Sequence, residues 1–285
     1  MSITSERCHL AFRKTERDLL NLSSSQEADR VHAFRTSVLR LQTLLEQLIP
    51  ERSRSQKKLL KLLGQMRKRA GKVRDLDVQL AALRSLKIPQ EPRRKTQLTQ
   101  HLIELRAKHE KKLRKMLAKE TVHEIRKRLK RAFREMKLES SRDPLLVARQ
   151  MLARVGGEQA PWTEDVLHQY RVVVKRARYA AEFAPKSAEA VRFIAHLKRL
   201  QDAIGDWHDW LTLTHTASER LGDVNQSSLV AAFHNVTGGK FRRAVAAASP
   251  APALRRQLAS VPASEHPRQP GRKSPTVLAV TDSAA

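Results

Sequence analysis

The sequence predicts an all-α protein, and three observations predict it. Apolar residues recur at three- and four-residue spacing almost throughout, which is the period of a helix with one buried face. Gly and Pro are scarce until the C-terminal end. Aromatic residues make up only 4% of the 285, so strands find neither their usual composition nor their turns. The elements follow in order. A short helix near 4–22 opens the chain, and the next, near 30–49, is closed by Pro50. Helices near 54–70 and 73–87 are separated by Gly71, and Pro89 with Pro92 sets off another near 93–119. A basic helical stretch, 121–155, holds Pro144 and ends at Gly156-Gly157. Helices near 162–184, 187–204, 207–221 and 226–247 complete the set, with Pro185 and Gly205 as breakers. From Ser249 onward Pro, Ala, Ser and scattered Arg replace the helical period, so 249–285 reads as a disordered basic tail. Residues 1–248 then form one helical unit: repeat one at about 18–120, intervening basic helices at 121–155, and repeat two at about 160–248.

The repeat is visible in two helices. His168-Gln169-Tyr170-Arg171 opens a basic helix whose design is already present, in weaker form, at His32-Ala33-Phe34-Arg35. Each is followed about forty residues later by a Gly-x-x-x-Asp step, Gly71 to Asp75 and Gly205 to Asp209. On a helix His168, Arg171, Lys175 and Arg178 fall within an arc of about 80°, with Glu182 continuing the line. Tyr170, Val173, Val174, Ala177 and Ala181 supply the opposite, packing face. The earlier helix packs through Phe34, Val38, Leu41, Leu45 and Leu48 and presents His32 and Arg35, while Arg40 occupies the position of Arg176. Leu39 stands where Lys175 stands and Gln42 where Arg178 stands, so the first half is expected to bind more weakly. A third His-x-x-Arg, His123 to Arg126, extends through Lys130, Arg134 and Lys137 without a Gly-x-x-x-Asp sequel, and reads as a lining helix. Arg67, Arg74, Lys198 and Arg199 join the expected polyanion ligands.

One basic helix face is ordinary solvated surface. Its recurrence in matching phase argues otherwise, because the chain carries 56 Lys and Arg against 29 Asp and Glu, a formal net charge of +27. Such a field destabilises the compact state unless an anion relieves it, which points to a long polyanion as partner. A column of cations one turn apart can meet successive phosphates, Arg gripping two oxygens and Lys acting as a point charge. The single cysteine, Cys8, suits a reducing compartment, no apolar run reaches the roughly 20 residues of a membrane span, and Met1 to Leu10 lacks a signal-peptide core. A soluble cytoplasmic protein is expected.

Asp75, Asp77, Asp206 and Asp209 follow the glycines, so their simplest role is to cap the next helix and orient nearby Arg or Lys, Asp75 and Asp209 above all. A magnesium site bridging carboxylates and phosphate is the sharper alternative. The acids are scattered among cations, no phosphate-cradling Gly-rich loop appears, and His32, His168, His208 and His215 show no metal-ligand spacing. Neither metal, cofactor nor catalysis is expected. Trp207 and Trp210, beside the Gly205 turn, read as core packing.

These residues resemble the CHAD family, the conserved histidine α-helical domain. Its first signature is similar to His168, Arg171, Val172, Lys175, Arg176, Arg178 and Tyr179, followed by Glu182. Its second is similar to Leu197, Leu200, Gln201, Ile204, Gly205 and Asp209, and Gly71 to Val78 resembles its Gly-x-Val-Arg-Asp-x-Asp-Val segment. The resemblance spans about residues 18–248. It implies two four-helix bundles related by a pseudo-twofold, with a basic channel or groove between them that binds inorganic polyphosphate. It implies granule association in some members. No Glu-x-Glu-x-Lys segment of a triphosphate tunnel domain is present, so the chain resembles a stand-alone member. Physics agrees: polyphosphate carries charge but no bases, whereas single-stranded nucleic-acid binders add aromatic platforms, for which 4% aromatic content is thin. Non-enzymatic polyphosphate binding is the leading expectation, a histone-like nucleic-acid-binding protein the alternative.

Overall fold

The computed structural model describes residues 3–86, 91–156 and 161–249, and all regular structure among them is helical. Nine α-helices follow one another: α1 Ser5–Ser24, α2 Ala28–Thr43, α3 Arg54–Ser85, α4 Pro92–Met116, α5 Lys119–Arg134, α6 Pro144–Gly156, α7 Glu164–Ala181, α8 Ala188–Leu221 and α9 Ser228–Ala248. A π turn, Leu44–Leu48, prolongs α2. Most starts are fixed by a side-chain oxygen that takes up an orphan N–H. Thr4, Thr163, Ser187 and Ser227 cap α1, α7, α8 and α9 in this way. Ser53 forms a reciprocal capping box with Gln56 at α3. Asp143 accepts from Leu145 and Leu146 at the head of α6. The expected tail falls almost wholly outside the described residues.

Two expected breaks are absent. The chain runs helically through Gly71 and Gly205, so the two helices expected around Gly71 are one, Arg54–Ser85, and the two expected around Gly205 are one, Ala188–Leu221. A glycine in a helix interior costs about 1 kcal/mol. Burial of Leu76, Leu80 and Leu83 beyond Gly71 outweighs that, at roughly 1.5–3 kcal/mol for each large apolar side chain. The same holds for Trp207, Trp210 and Leu213 beyond Gly205. Where proline or a polar run coincides with a lapse in apolar period, as at 135–143, the helix does stop.

The packing order repeats. α1 lies on α2, α2 on α3 and α3 on α4; α6 lies on α7, α7 on α8 and α8 on α9. Like elements also meet, α2 against α7 and α3 against α8, while α5 rests on α1 and α3. Both hydrophobic cores draw on both halves. The larger joins Phe12, Phe34, Leu63 and Ile125 to Val174, Leu197 and Trp207. The smaller joins Leu80, Leu98 and Leu102 to Trp210, Leu229 and Phe233. Trp207 and Trp210 are buried edge-on to Phe241 and Phe233, as expected of core residues. Glu91, held at φ 52, accepts from Ser227 Oγ at 2.7 Å and from Leu229 N at 3.1 Å, so the lead-in to α4 also caps α9.

Candidate functional site

Where α2 meets α7, with α3 and α8 alongside, cations from both halves converge. Lys175 of α7 stands in the field of Arg171 and Arg178 on its own helix, Arg35 of α2 and Arg67 of α3. Burial first, and then these four guanidiniums, push its ammonium down to about 8. Arg171 is likewise held below its ordinary value by burial, with Arg35 opposing it and Asp209 and Asp75 supporting its charge. Arg67 is lowered by burial and by Arg35 and Arg176. His32 is lowered by burial, then by Arg74, Lys175 and Arg35. The structure therefore brings together His32, Arg35, Arg67, Arg74, Arg171, Lys175, Arg176 and Arg178 in one crevice. His168 joins it beside His208, their rings 5.0 Å apart.

Carboxylates are few within this group: Asp75, Asp209 and Glu182, the last beside Arg178, with Glu46 and Asp29 acting on Arg67 and His32. Arg35 Nη1 reaches Asp75 Oδ1 at 3.3 Å, its guanidinium crossing α3 at Gly71, where a Cβ would stand 3.6 Å from it. Burial raises Asp209, and Arg171 and Arg74 partly offset that. Asp75 and Asp209 sit in helix interiors, so the expected capping role is overturned by the continuity of α3 and α8. Asp75 instead accepts from Arg35. Asp77 and Asp206 serve elsewhere, pairing with Arg106 and Lys240. No cluster of three or more His, Cys, Asp or Glu able to hold a metal occurs among the described residues.

A family model of the CHAD domain matches residues 6–218, which include α2, α3, α7 and nearly all of α8. The chain belongs to the CHAD family. Among solved structures it is similar to the CHAD domain from the plant Ricinus communis, with a TM-score of 0.60 at 18% identity over 91% of this chain and 92% of that one. It is also similar to PptA from Streptomyces chartreusis, with a TM-score of 0.64 at 15% identity over 90% of this chain and 99% of that one. At such identities the likeness is one of fold. No curated protein matches the chain in sequence.

Within this CHAD crevice the expected ligands are not equally free. Arg40 Nε donates to Glu182 Oε2 at 2.6 Å, and Arg178 Nη1 lies 3.6 Å from Glu182 Oε1. Both guanidiniums cover the Tyr179 ring, at 5.0 and 4.8 Å from its centroid. This knot ties α2 to α7 and neutralises part of their charge. Arg176, which matches Arg40 in the repeat, is exposed and forms no ion pair among the described residues. Four further expected ligands lie elsewhere. Arg126 pairs with Glu16 of α1 at 2.7 Å, and Lys130 is exposed on the same helix, so α5 braces α1 rather than lining the crevice. Lys198 pairs with Asp202 one turn on, and Arg199 is exposed beside His196.

Two features escaped the sequence reading. His208, half-buried and pushed down to about 3 by burial and then by Arg171, was not counted among the ligands. Its position before Asp209 matches that of Arg74 before Asp75, a signal that aligning the Gly-x-x-x-Asp steps would have exposed. The second is an exchange. Arg67 Nε donates to Gln42 Oε1 at 2.8 Å. In the other half the same two positions are Gln201 and Arg178, so arginine and glutamine have traded helices. The cation missing at Gln42 is thereby supplied from α3, and the deficit read from α2 alone is largely made up.

Proposed function

We propose that the protein binds inorganic polyphosphate in the crevice between α2 and α7 and does not hydrolyse it. The observation that carries this reading is Lys175, an ammonium half-buried among four guanidiniums that forms no ion pair among the described residues. Asp75, Asp209 and Glu182 cannot balance so many cations, and the remaining burial penalty on the charged groups is relieved by a counter-charge brought from outside. One orthophosphate would satisfy two or three of them. A chain of phosphates would satisfy all in sequence, with Arg forks and the Lys point charge each taking a share. The buried Tyr179 ring beside the crevice is covered by Arg40 and Arg178, which closes it to base stacking.

Asp75 is engaged with Arg35, and Asp209 lies in the fields of Arg171 and Arg74. That makes them charge partners rather than a pair poised to bridge a metal and a phosphate, and supports binding without turnover. Like elements meeting across the crevice support a pseudo-twofold between the halves. We place the protein in the cytoplasm, at polyphosphate granules. No described helix is long and apolar enough to cross a membrane.

Filter binding to long-chain polyphosphate, with duplex DNA and RNA as competitors, tests the reading. Saturable binding that polyphosphate displaces better than either nucleic acid, without orthophosphate release, is expected. Orthophosphate release would make the protein an enzyme. Stronger displacement of crevice-bound ligand by nucleic acid would favour the histone-like alternative. A fluorescent fusion should coincide with granule stain and disperse when Arg171 and Lys175 are replaced.

A further inference from the structure

The crevice accounts for only part of the positive charge. Helices α3, α4 and α5 carry 26 Lys and Arg against 6 Asp and Glu, whereas α7, α8 and α9 carry 11 against 7. Much of the excess stands on one outward face. On α3, Arg54, Lys57, Lys58, Lys61, Lys68 and Lys72 are all exposed. At helical spacing they share an arc of about 100° over a length of about 27 Å. On α4, Lys108, Lys111, Lys112 and Lys115 form a second exposed stripe of the same width. The stripes are contiguous, because Arg69 and Lys72 of α3 and Lys108 and Lys112 of α4 all act on His109, a half-buried residue whose Nδ1 has no partner. None of these cations forms an ion pair among the described residues.

The fold does not require this face. Aligned on Gly71 and Gly205, the six α3 positions correspond in α8 to Ala188, Val191, Arg192, Ala195, Asp202 and Asp206. One half has six cations where the other has one cation and two acids. The chemistry also differs from that of the crevice. The crevice is dominated by arginine and half-buried at Arg35, Arg67, Arg171 and Lys175, whereas the outer face is exposed and dominated by lysine, a strongly hydrated point charge.

We propose that the α3–α4 face is a second polyanion surface, distinct from the crevice, that docks the phosphate backbone of duplex DNA. Charge complementarity over about 27 Å matches roughly eight base pairs at 3.4 Å per phosphate of each strand. α3 and α4 contain no aromatic residue on which an unpaired base could stack, which disfavours single strands. Duplex RNA is recognised through its shape and through contacts across its minor groove, which rows of phosphate-directed ammoniums do not supply. Binding is therefore independent of base sequence, since phosphate contacts position without specifying.

The test measures affinity of the full-length protein for a labelled 20-base-pair mixed-sequence DNA duplex, and separately for long-chain polyphosphate, at several salt concentrations. One variant replaces Lys57, Lys61, Lys68 and Lys72 by Gln, a residue of similar helix propensity, so the fold is retained. Another replaces Arg171 and Lys175 by Ala. The face variant is expected to lose at least about tenfold in DNA affinity and to flatten the log–log salt slope by roughly 3 to 4, with polyphosphate affinity changed less than about threefold. The crevice variant is expected to show the reverse. DNA binding unchanged in the face variant would overturn the proposal. So would a polyphosphate loss in that variant as large as in the crevice variant, since the face would then extend the polyphosphate track. Either result leaves the crevice reading to be judged by its own variant.

Discussion

The two halves build their share of the crevice differently. In the second, α7 carries the column Arg171, Lys175 and Arg178 while α8 faces it with His208 and Gln201. In the first, α2 keeps only His32 and Arg35 toward the crevice, and α3 supplies Arg67 and Arg74. A cation lost from one helix has reappeared on its neighbour at the matching depth. The repeat holds positive charge at places in the crevice, and the helix bearing each charge is free to vary.

The largest test removes each half's contribution in turn. Replacing Arg171 and Lys175 by Ala should weaken polyphosphate binding about a hundredfold or more, since each charge-assisted contact is worth about 1.5–3 kcal/mol. Replacing Arg35 and Arg67 should cost the same within about threefold. A much smaller loss from the second pair would restore the unequal halves that α2 suggests by itself. Circular dichroism should show unchanged helix content for both.

A second test sharpens the comparison at Lys175, which has no cationic counterpart at Leu39. Its pKa in the free protein is lowered to about 8, first by burial and then by Arg171, Arg35, Arg67 and Arg178. A polyanion restores the ordinary value, so binding should take up a proton between about pH 8 and 10, and affinity should fall by up to about tenfold per unit above pH 8. The sign for folding is opposite. The unfolded chain holds this proton more tightly, so this group's contribution to stability rises with pH through the same window. Calorimetry in two buffers of different ionisation enthalpy reads the uptake, and Lys175→Met should abolish it.

Ligand-induced stabilisation comes next. Polyphosphate at a hundredfold over its Kd should add roughly 2.7 kcal/mol, raising Tm, and orthophosphate at equal phosphorus should add much less, because only a polymer spans both halves. The gain should shrink as salt rises. Equal shifts would mean a small-anion site. A smaller effect is expected from Gln42→Leu, which removes the hydrogen bond that aims Arg67, at about 1 kcal/mol or roughly fivefold in affinity. The same substitution at Gln201 should do less, because Gln201 Oε1 has no partner among the described residues.

The helices and the α7 column were legible because apolar period and charge phase are local properties. The packing faces of α2 and α7 fell where the period put them, with Phe34, Val38, Leu41, Val174 and Ala177 all buried. Gly71 and Gly205 misled because a helix interior tolerates one glycine when both flanks are buried, and burial of Leu80 or Trp210 is decided by partners distant in sequence. The exchange of Arg67 and Gln42 was invisible for the same reason, since it requires α2 and α3 side by side. Arg40 was assigned to the ligand by its place in the repeat, but Glu182, 142 residues on, claims it.

If both halves grip one ligand in one crevice, a double-mutant cycle of Arg67→Ala and Lys175→Ala, read by polyphosphate affinity, will show the two residues coupled. Binding relieves the repulsion between these two cations once, and each single variant already forfeits that relief. The double variant should therefore lose less than the sum of the singles, by at least about 0.5 kcal/mol. Losses that add to within about 0.3 kcal/mol would place the two residues at separate sites and contradict the account.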